Sequence, residues 1–166
     1  MKTVSNSSPL VGLAAIGHFP LLRRYFGKIY IPQAVYREVV TRGKGRTGAR
    51  ETKKAVKDKW IEVVRVKDKS AVKRLMTEFE IDQGESEAIC LAQELGAERI
   101  IVDESKTREY ARSLGFKMIG VLGILKLAME EGLILNLREK LDELGVKGFW
   151  IDEKLYHRIL EEVGEK

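Results

Sequence analysis

The stretch from Gly84 to Asp103 reads GESEAICLAQELGAERIIVD and decides the fold class of this chain. Its first part, Glu85 to Leu95, has apolar residues at helical spacing, and Gly96 follows as a typical helix C-cap. The next part, Arg99 to Val102, is a strand candidate whose continuous apolar run, Ile100 to Val102, is the pattern of a buried parallel strand. The stretch therefore predicts a helix that leads into a buried strand, with Asp103 at the end of that strand.

Strand and helix patterns alternate on both sides of this stretch. Further strands are predicted at residues 3–5, 28–31, 60–66 and 116–119. Further helices are predicted at residues 9–16, 19–26, 33–41, 51–59, 70–79, 105–114, 121–131, 136–144 and 152–163. Strands separated by helices indicate an α/β domain with a parallel sheet. In such domains the functional site lies at the carboxyl ends of the strands.

Length and composition restrict the class of protein. The 166 residues fit a single domain, residues 1–166, with a C-terminal helical extension from about residue 136 to residue 166. One cysteine, Cys90, and two histidines, His18 and His157, exclude a disulfide framework, a multi-cysteine zinc site and a His-rich metal site. The apolar stretches are too short to span a bilayer and the N-terminus does not resemble a signal peptide, so we expect a cytoplasmic protein without a membrane partner.

The positive charge of the chain is concentrated in one segment. The net charge is +5, and residues 42–59 carry eight basic and two acidic residues, a local net charge of +6. We call residues 42–59 the basic segment. Its candidates for binding nucleic-acid phosphates are Arg42, Lys44, Arg46, Arg50, Lys53, Lys54 and Lys57. The alternative is a solvated loop and helix surface without a ligand.

Acidic residues near predicted strand ends form a candidate active site. Asp103 ends a buried strand, where an unpaired carboxylate would be costly. Glu85 begins the preceding helix, and Glu38 lies in the helix after the strand that Pro32 stops. Carboxylates gathered in this way suit Mg²⁺ or Mn²⁺, which activate water for phosphodiester hydrolysis. The alternatives are a capping box between Asp82 and Glu85, and a solvated helix position for Glu38.

Four short motifs follow one another along the chain. They are Asn6-Ser7-Ser8, Ile31-Pro32-x-x-Val35-x-x-Glu38, Gly84-Glu85-Ser86-Glu87-Ala88-Ile89 and Ile101-Val102-Asp103. In this order and spacing they resemble the PIN-domain ribonuclease family. A toxin-like prokaryotic PIN subgroup is also similar in the run Gly120 to Leu125 and in the tail GFWIDEKLYHRIL. The resemblance covers nearly the whole chain and implies a three-layer α/β/α sandwich with a central, mostly parallel sheet.

The resemblance also implies an activity. PIN domains hold Mg²⁺ or Mn²⁺ with three or four acidic residues and cut single-stranded RNA with metal-activated water. By position, Glu38, Glu85 and Asp103 match the second, third and fourth acids of the family, and Ser8 matches a small hydroxyl residue near the metal. The resemblance therefore implies a metal-dependent endoribonuclease with these residues at its centre.

The chain departs from the family at the first acidic position. The family usually has Asp there, and this chain has Asn6, whose amide oxygen can ligate a cation but brings no negative charge. Glu87 and Glu104 are the expected auxiliary acids, and the alternative for Glu87 is complementation of the helix dipole. If Asn6 disables the site, the alternative function is a catalytically impaired PIN-like module that binds RNA or protein. A third alternative is an α/β regulatory or small-molecule domain with an acidic pocket.

The resemblance implies partners as well. Many PIN domains are toxins of toxin–antitoxin pairs, and many are homodimers. The expected partners are therefore single-stranded RNA, a small antitoxin protein and a second copy of the chain. The basic segment would then border the metal cleft and hold the RNA backbone, while Trp60 is expected in the core rather than as a platform for RNA bases.

Overall fold

The computed structural model of the chain describes residues 1–103 and 105–165. Its strands are β1 (Thr3–Ser5), β2 (Ile29–Pro32), β3 (Ile61–Val64), β4 (Arg99–Ile101) and β5 (Lys117–Ile119). Its helices are α1 (Ser7–Ala15), α2 (Leu21–Phe26), α3 (Gln33–Tyr36), α4 (Ala49–Lys57), α5 (Lys69–Glu78), α6 (Gln83–Leu95), α7 (Ser105–Ser113), α8 (Val121–Glu130), α9 (Leu137–Val146) and α10 (Glu153–Glu162). None of the helices in this part of the chain is long and apolar enough to cross a membrane.

The strands form one parallel sheet in the order β3-β2-β1-β4-β5. Val4 of β1 pairs with Tyr30 of β2 on one side and with Ile100 of β4 on the other. After β1 the chain therefore adds β2 and β3 on one side of β1, and it later adds β4 and β5 on the other side. In open α/β sheets, ligands bind at such a switch point, outside the carboxyl ends of the strands.

The sheet is buried on both faces, and its strand residues alternate between two cores. Ile29, Ile31 and Ile101 pack with α1, α2, α4 and α8 to α10. On the opposite face, Val4 and Ile100 pack with α5, α6 and α7. This alternation is the two-residue period of a strand. Burial on both faces explains the isoleucines of β2 and β4, while β1 also buries the small polar residues Thr3 and Ser5. The three-layer α/β/α sandwich is thereby confirmed.

The C-terminal helices belong to one of these layers. Leu141 and Leu144 of α9 and Ile159 and Leu160 of α10 are buried in the same core as α1 and α8. Helices α9 and α10, which lie in the predicted C-terminal extension, thus pack on the sheet's helical layer through their apolar faces.

The segment after β2 differs from the continuous α-helix predicted at residues 33–41. Helix α3 is followed by a π-helical turn, Arg37–Thr41, in which the Arg42 N–H donates to the Arg37 carbonyl at 2.7 Å. The apolar periodicity of a short segment does not distinguish an α-helix from a π turn, because their backbone hydrogen bonds differ in span by only one residue. This turn carries Glu38.

Candidate metal centre

The candidate site lies where the two central strands end. Asn6 follows β1 directly, and its backbone N–H donates to the carbonyl of Ile101, the last residue of β4, at 3.2 Å. Asp103 lies two residues beyond Ile101. The parallel pairing of β1 with β4 therefore brings Asn6 and Asp103 to the same edge of the sheet, as the sequence predicted.

Asn6 has a buried oxygen without a donor. The residue is 2% exposed, and within the described part of the chain its Oδ1 accepts no hydrogen bond. Asn6 occupies the N-cap position of α1, yet its side chain makes no capping bond there. A buried acceptor without a partner costs about 1–3 kcal/mol, so this position favours a ligand or ion that supplies positive charge.

Glu38 is held at the start of helix α6. Its Oε2 accepts a hydrogen bond from Ser7 Oγ at 2.6 Å. Its carboxylate also lies against Gly84, where a Cβ atom would overlap it. Gly84 is in the first turn of α6, and the positive end of the helix dipole stabilises a carboxylate there. Because Gly84 has no side chain, it leaves the space that the exposed Glu38 carboxylate occupies.

Glu85 is half-buried and reaches helix α7. Its backbone N–H donates to Asp82 Oδ1 at 2.9 Å, which is the backbone half of the predicted capping box. Its Oε2 accepts a hydrogen bond from Thr107 Oγ1 at 2.9 Å. Thr107 is 1% exposed, so this donor is fixed in the core. The backbone of Glu85 thus takes part in the helix cap, while its side chain contacts Thr107.

Asp103 is held at the start of helix α8. Its Oδ1 accepts the N–H of Val121 at 2.8 Å, and a Cβ atom on Gly120 would overlap the carboxylate. Burial raises the pKa of Asp103 above its usual value, while the bond from Val121 and the positive charge of Arg108 oppose that shift. A cation at this carboxylate would favour its ionised form further.

A groove of about 760 Å³ is lined by Glu85 and Asp103, whereas Glu38 and Asn6 are not among its lining residues. Ser8 also lines it, together with residues of α8, of α10 and of the segment that carries Phe149 and Trp150. The groove therefore connects the strand ends with the C-terminal helices.

The side chains at the strand ends fit a hard divalent cation in their chemistry. Carboxylates and an amide oxygen are the donors that Mg²⁺ and Mn²⁺ prefer, and the Asn6 Oδ1 lacks a partner. Within residues 1–103 and 105–165, no three Asp, Glu, His or Cys side chains form a ready cluster for an ion. Ion binding would therefore have to draw Glu38, Glu85 and Asp103 together.

Comparison with known proteins identifies the family. A family model described as a PIN domain matches residues 2–165. The chain belongs to the PIN-domain family. None of the curated proteins gives a significant match. PIN domains are generally nucleases that use divalent metal ions, so the membership agrees with the sandwich fold and with acids at this edge of the sheet.

Of the two expected auxiliary acids of this PIN domain, Glu87 can be placed in the structure. Glu87 is buried and accepts hydrogen bonds from the Ala34 N–H at 3.1 Å and from Gln83 Nε2 at 3.0 Å. It also lies 3.9 Å from Arg37 and borders a separate cavity of about 260 Å³. These contacts favour a structural role, in which Glu87 ties α6 to the N-terminus of α3. Glu104 lies outside the described residues.

The basic segment lies beside the candidate site rather than inside the groove. All seven candidate phosphate-binding residues are exposed. Helix α4 packs against α1 and against the π-helical turn that carries Glu38. Among the described residues, the cations that line the groove come from other segments and are Arg108, Lys126 and Arg158. A role for the basic segment in RNA binding remains a prediction.

Sequence reasoning missed the residues that position the acids of this PIN domain. Ser8, the expected hydroxyl neighbour, lines the groove, but it is Ser7 that donates to Glu38. Thr107, Gly84 and Gly120 were not singled out for their contacts with the acids. Thr107 lies 22 residues from its partner, so no local spacing signals that contact. For Ser7, the signal was its place directly after Asn6.

Proposed function

We propose that this PIN domain is a metal-dependent endoribonuclease that hydrolyses phosphodiester bonds of single-stranded RNA with Mg²⁺ or Mn²⁺. Glu38, Glu85 and Asp103 would hold the ion, and Asn6 Oδ1 would serve as a neutral fourth ligand. The observation that carries the proposal is the buried, unpartnered Asn6 Oδ1 at the strand edge where Asp103 also lies. A bound ion would supply an activated water and stabilise the charge that develops on the phosphate.

The chain's own contacts prepare the ligands for this role. The Val121 N–H fixes one oxygen of Asp103, and Thr107 fixes one oxygen of Glu85. Asp103 has a second oxygen, and a carboxylate oxygen has more than one lone pair, so the bond from Val121 leaves acceptor capacity for an ion. Arg108 lies in the same groove, where its guanidinium would pair with an RNA phosphate.

The second candidate function is a catalytically impaired module that binds RNA or protein. The observation that favours it is Asn6 itself, because an amide contributes no charge to the ion and cannot act as a base. The two functions differ in one measurable property, since the impaired module would bind neither Mg²⁺ nor Mn²⁺ at sub-millimolar concentration.

The proposal includes a biological setting. A metal-dependent RNase of this size fits the toxin of a toxin–antitoxin pair, with a small antitoxin protein that fills the groove, and we infer a homodimer and a cytoplasmic location. The groove of about 760 Å³ that Glu85 and Asp103 line supports the antitoxin. Light scattering measures the mass of the particle, and a growth assay on expression tests toxicity.

Cleavage of labelled single-stranded RNA tests the proposed activity. The reactions contain Mn²⁺ or Mg²⁺, with and without a chelator, and compare the wild type with Asp103→Asn. The matched control is Glu78→Gln, the same carboxyl-to-amide chemistry on the exposed face of α5. We expect metal-dependent cutting that Asp103→Asn abolishes and Glu78→Gln preserves.

Calorimetric titration with Mn²⁺ separates the two candidate functions. Cutting together with Mn²⁺ binding supports the nuclease and shows that Asn6 is compatible with activity. Absence of both, in protein that melts cooperatively, contradicts the nuclease and leaves the binding module. Cutting that survives in Asp103→Asn contradicts the assignment of the site.

A further inference from the structure

Trp150 is a large aromatic side chain that remains in water at the groove. It is 85% exposed and lines the same groove as Glu85 and Asp103. Tryptophan has a large apolar surface with a π face, and burying it against a partner is favourable. An exposed tryptophan beside a candidate catalytic centre is therefore available to a ligand.

The chain segment that carries Trp150 is anchored through the preceding residue. Phe149 is half-buried and packs beside Gly12 of α1. A Cβ atom added to Gly12 would lie 3.3 Å from the Phe149 ring and 3.2 Å from Val121 Cγ2. Val121 is the residue whose N–H holds Asp103. Phe149 thus anchors the segment to α1 and to the start of α8, and Trp150 follows it directly at the groove.

The groove that Trp150 lines offers cationic side chains to a phosphate group. Its lining also includes the acids Glu85, Asp103, Asp152 and Glu162, of which Glu162 is paired with Lys126 at 2.9 Å. Arg108 and Arg158 also line the groove. The groove thus combines an aromatic face and arginines with metal-binding chemistry, and its volume lies in the range of sites for small organic groups.

We propose that Trp150 is the stacking platform for an unpaired RNA base in this groove, with Arg108 and Arg158 placed for the flanking phosphates. Single-stranded RNA presents its bases to aromatic side chains, and stacking tolerates any base because each has a π face. This inference rests on the proposed function, since it identifies how the same site takes its substrate. Trp150 is here a positioning residue and takes no part in bond cleavage.

Tryptophan fluorescence tests the stacking directly. The chain has two tryptophans, and Trp60 packs edge-to-face on Phe19 with ring centroids 5.5 Å apart. Trp60→Phe therefore leaves Trp150 as the sole tryptophan and keeps an aromatic ring in the core. We titrate this variant, in the presence of chelator, with an oligouridine and with an abasic ribose-phosphate strand of equal length. Quenching by the oligouridine and none by the abasic strand is the expected result.

Binding variants give a second, independent readout. Trp150→Ala should raise the Kd for the oligouridine about five- to 150-fold, the range found for base–aromatic stacking. Trp150→Phe should restore most of the affinity, whereas Trp150→Leu, which is apolar without a π face, should not. The control is Leu135→Ala, because Leu135 is 90% exposed and does not line the groove.

The outcomes separate this inference from the proposed function. Equal quenching by the abasic strand, or a Kd for Trp150→Ala within twofold of the wild type, overturns the stacking platform even if the protein cuts RNA. Wild-type affinity in Trp150→Leu also overturns it and points to an apolar contact such as a protein partner makes. Base-dependent quenching without cutting supports the platform and contradicts only the nuclease.

Discussion

Replacement of Gly84 by alanine is expected to weaken metal binding while changing the stability of the fold little. The added Cβ atom would overlap the Glu38 carboxylate. Because Glu38 comes from a different element, its flexible side chain can move away while α6 keeps its place. The displaced carboxylate loses the bond from Ser7 Oγ, so a larger movement is needed to bring it to an ion beside Asn6 and Asp103.

Two opposing effects set the change in the free energy of unfolding. Alanine in place of glycine stabilises a helix by up to about 1 kcal/mol. Loss of the hydrogen bond between Ser7 and Glu38 costs about 0.5–1.5 kcal/mol. The sum is close to zero, so the melting temperature should move by less than about 4 °C for a domain of this size. The Mn²⁺ affinity should fall about 10- to 100-fold, the usual loss when the groups that orient metal ligands are disturbed.

Gly145→Ala is the matched control for this prediction. Gly145 lies in α9, and nothing approaches within 4 Å of the position of its missing Cβ atom. This variant should gain stability without any change in metal affinity. Mn²⁺ affinity is measured by calorimetric titration and stability by thermal melting. A Mn²⁺ affinity in Gly84→Ala within twofold of the wild type would refute the assignment of Glu38 as a ligand.

Three further predictions concern the neutral ligand, the basic segment and the single cysteine. Asn6→Asp should strengthen Mn²⁺ binding at least about tenfold, because it adds a charge worth several kcal/mol to a divalent ion at a buried position; unchanged affinity in a titration would exclude Asn6 from the site. The triple variant of Lys53, Lys54 and Lys57 to Glu should weaken RNA binding and lower the slope of log Kd against log salt by about 2 if all three contact phosphates; an unchanged slope removes the basic segment from RNA binding. Burial raises the pKa of the Cys90 thiol to about 11, so its thiolate is disfavoured in the fold. Stability should fall as the pH rises from the ordinary thiol pKa of about 9 toward 11, because the unfolded chain then loses its proton first. Melting curves of Cys90→Ala should show a smaller decline, and an equal decline would contradict the shifted pKa.

The fold was largely predictable because its central elements carry strong local patterns. The run from Ile100 to Val102 is apolar without interruption, and it overlaps β4, the strand that lies between β1 and β5. Gly96 ends the preceding helix in the left-handed conformation, with a φ of 63°, which glycine adopts without strain. The π-helical turn at Arg37–Thr41 was not predictable in this way, because its apolar spacing suits an α-helix equally well.

The candidate site was predictable only where it follows a strand. Asn6 directly follows β1 and Asp103 lies two residues after β4, so the rule for parallel sheets placed both at one edge. The partners of the acids come from distant segments, as with Val121 and Asp103, which are 18 residues apart. Such pairings depend on how helices pack, and a single sequence contains no local signal for them. The same reason explains why Trp150 was not recognised as part of the groove.

An amide at the buried strand edge has a physical consequence for the metal-free protein. Burial already raises the pKa of Asp103, which means that the fold disfavours its charge. A carboxylate at position 6, where the side chain is 2% exposed, would add a second buried charge at the same edge. Asn6 removes that cost but leaves one unpartnered oxygen and a weaker attraction for a cation. Asn6 therefore favours the stability of the metal-free fold over metal affinity. Thermal melting of Asn6→Asp should show both effects, a lower melting temperature with chelator and a larger rise on addition of Mn²⁺ than the wild type shows.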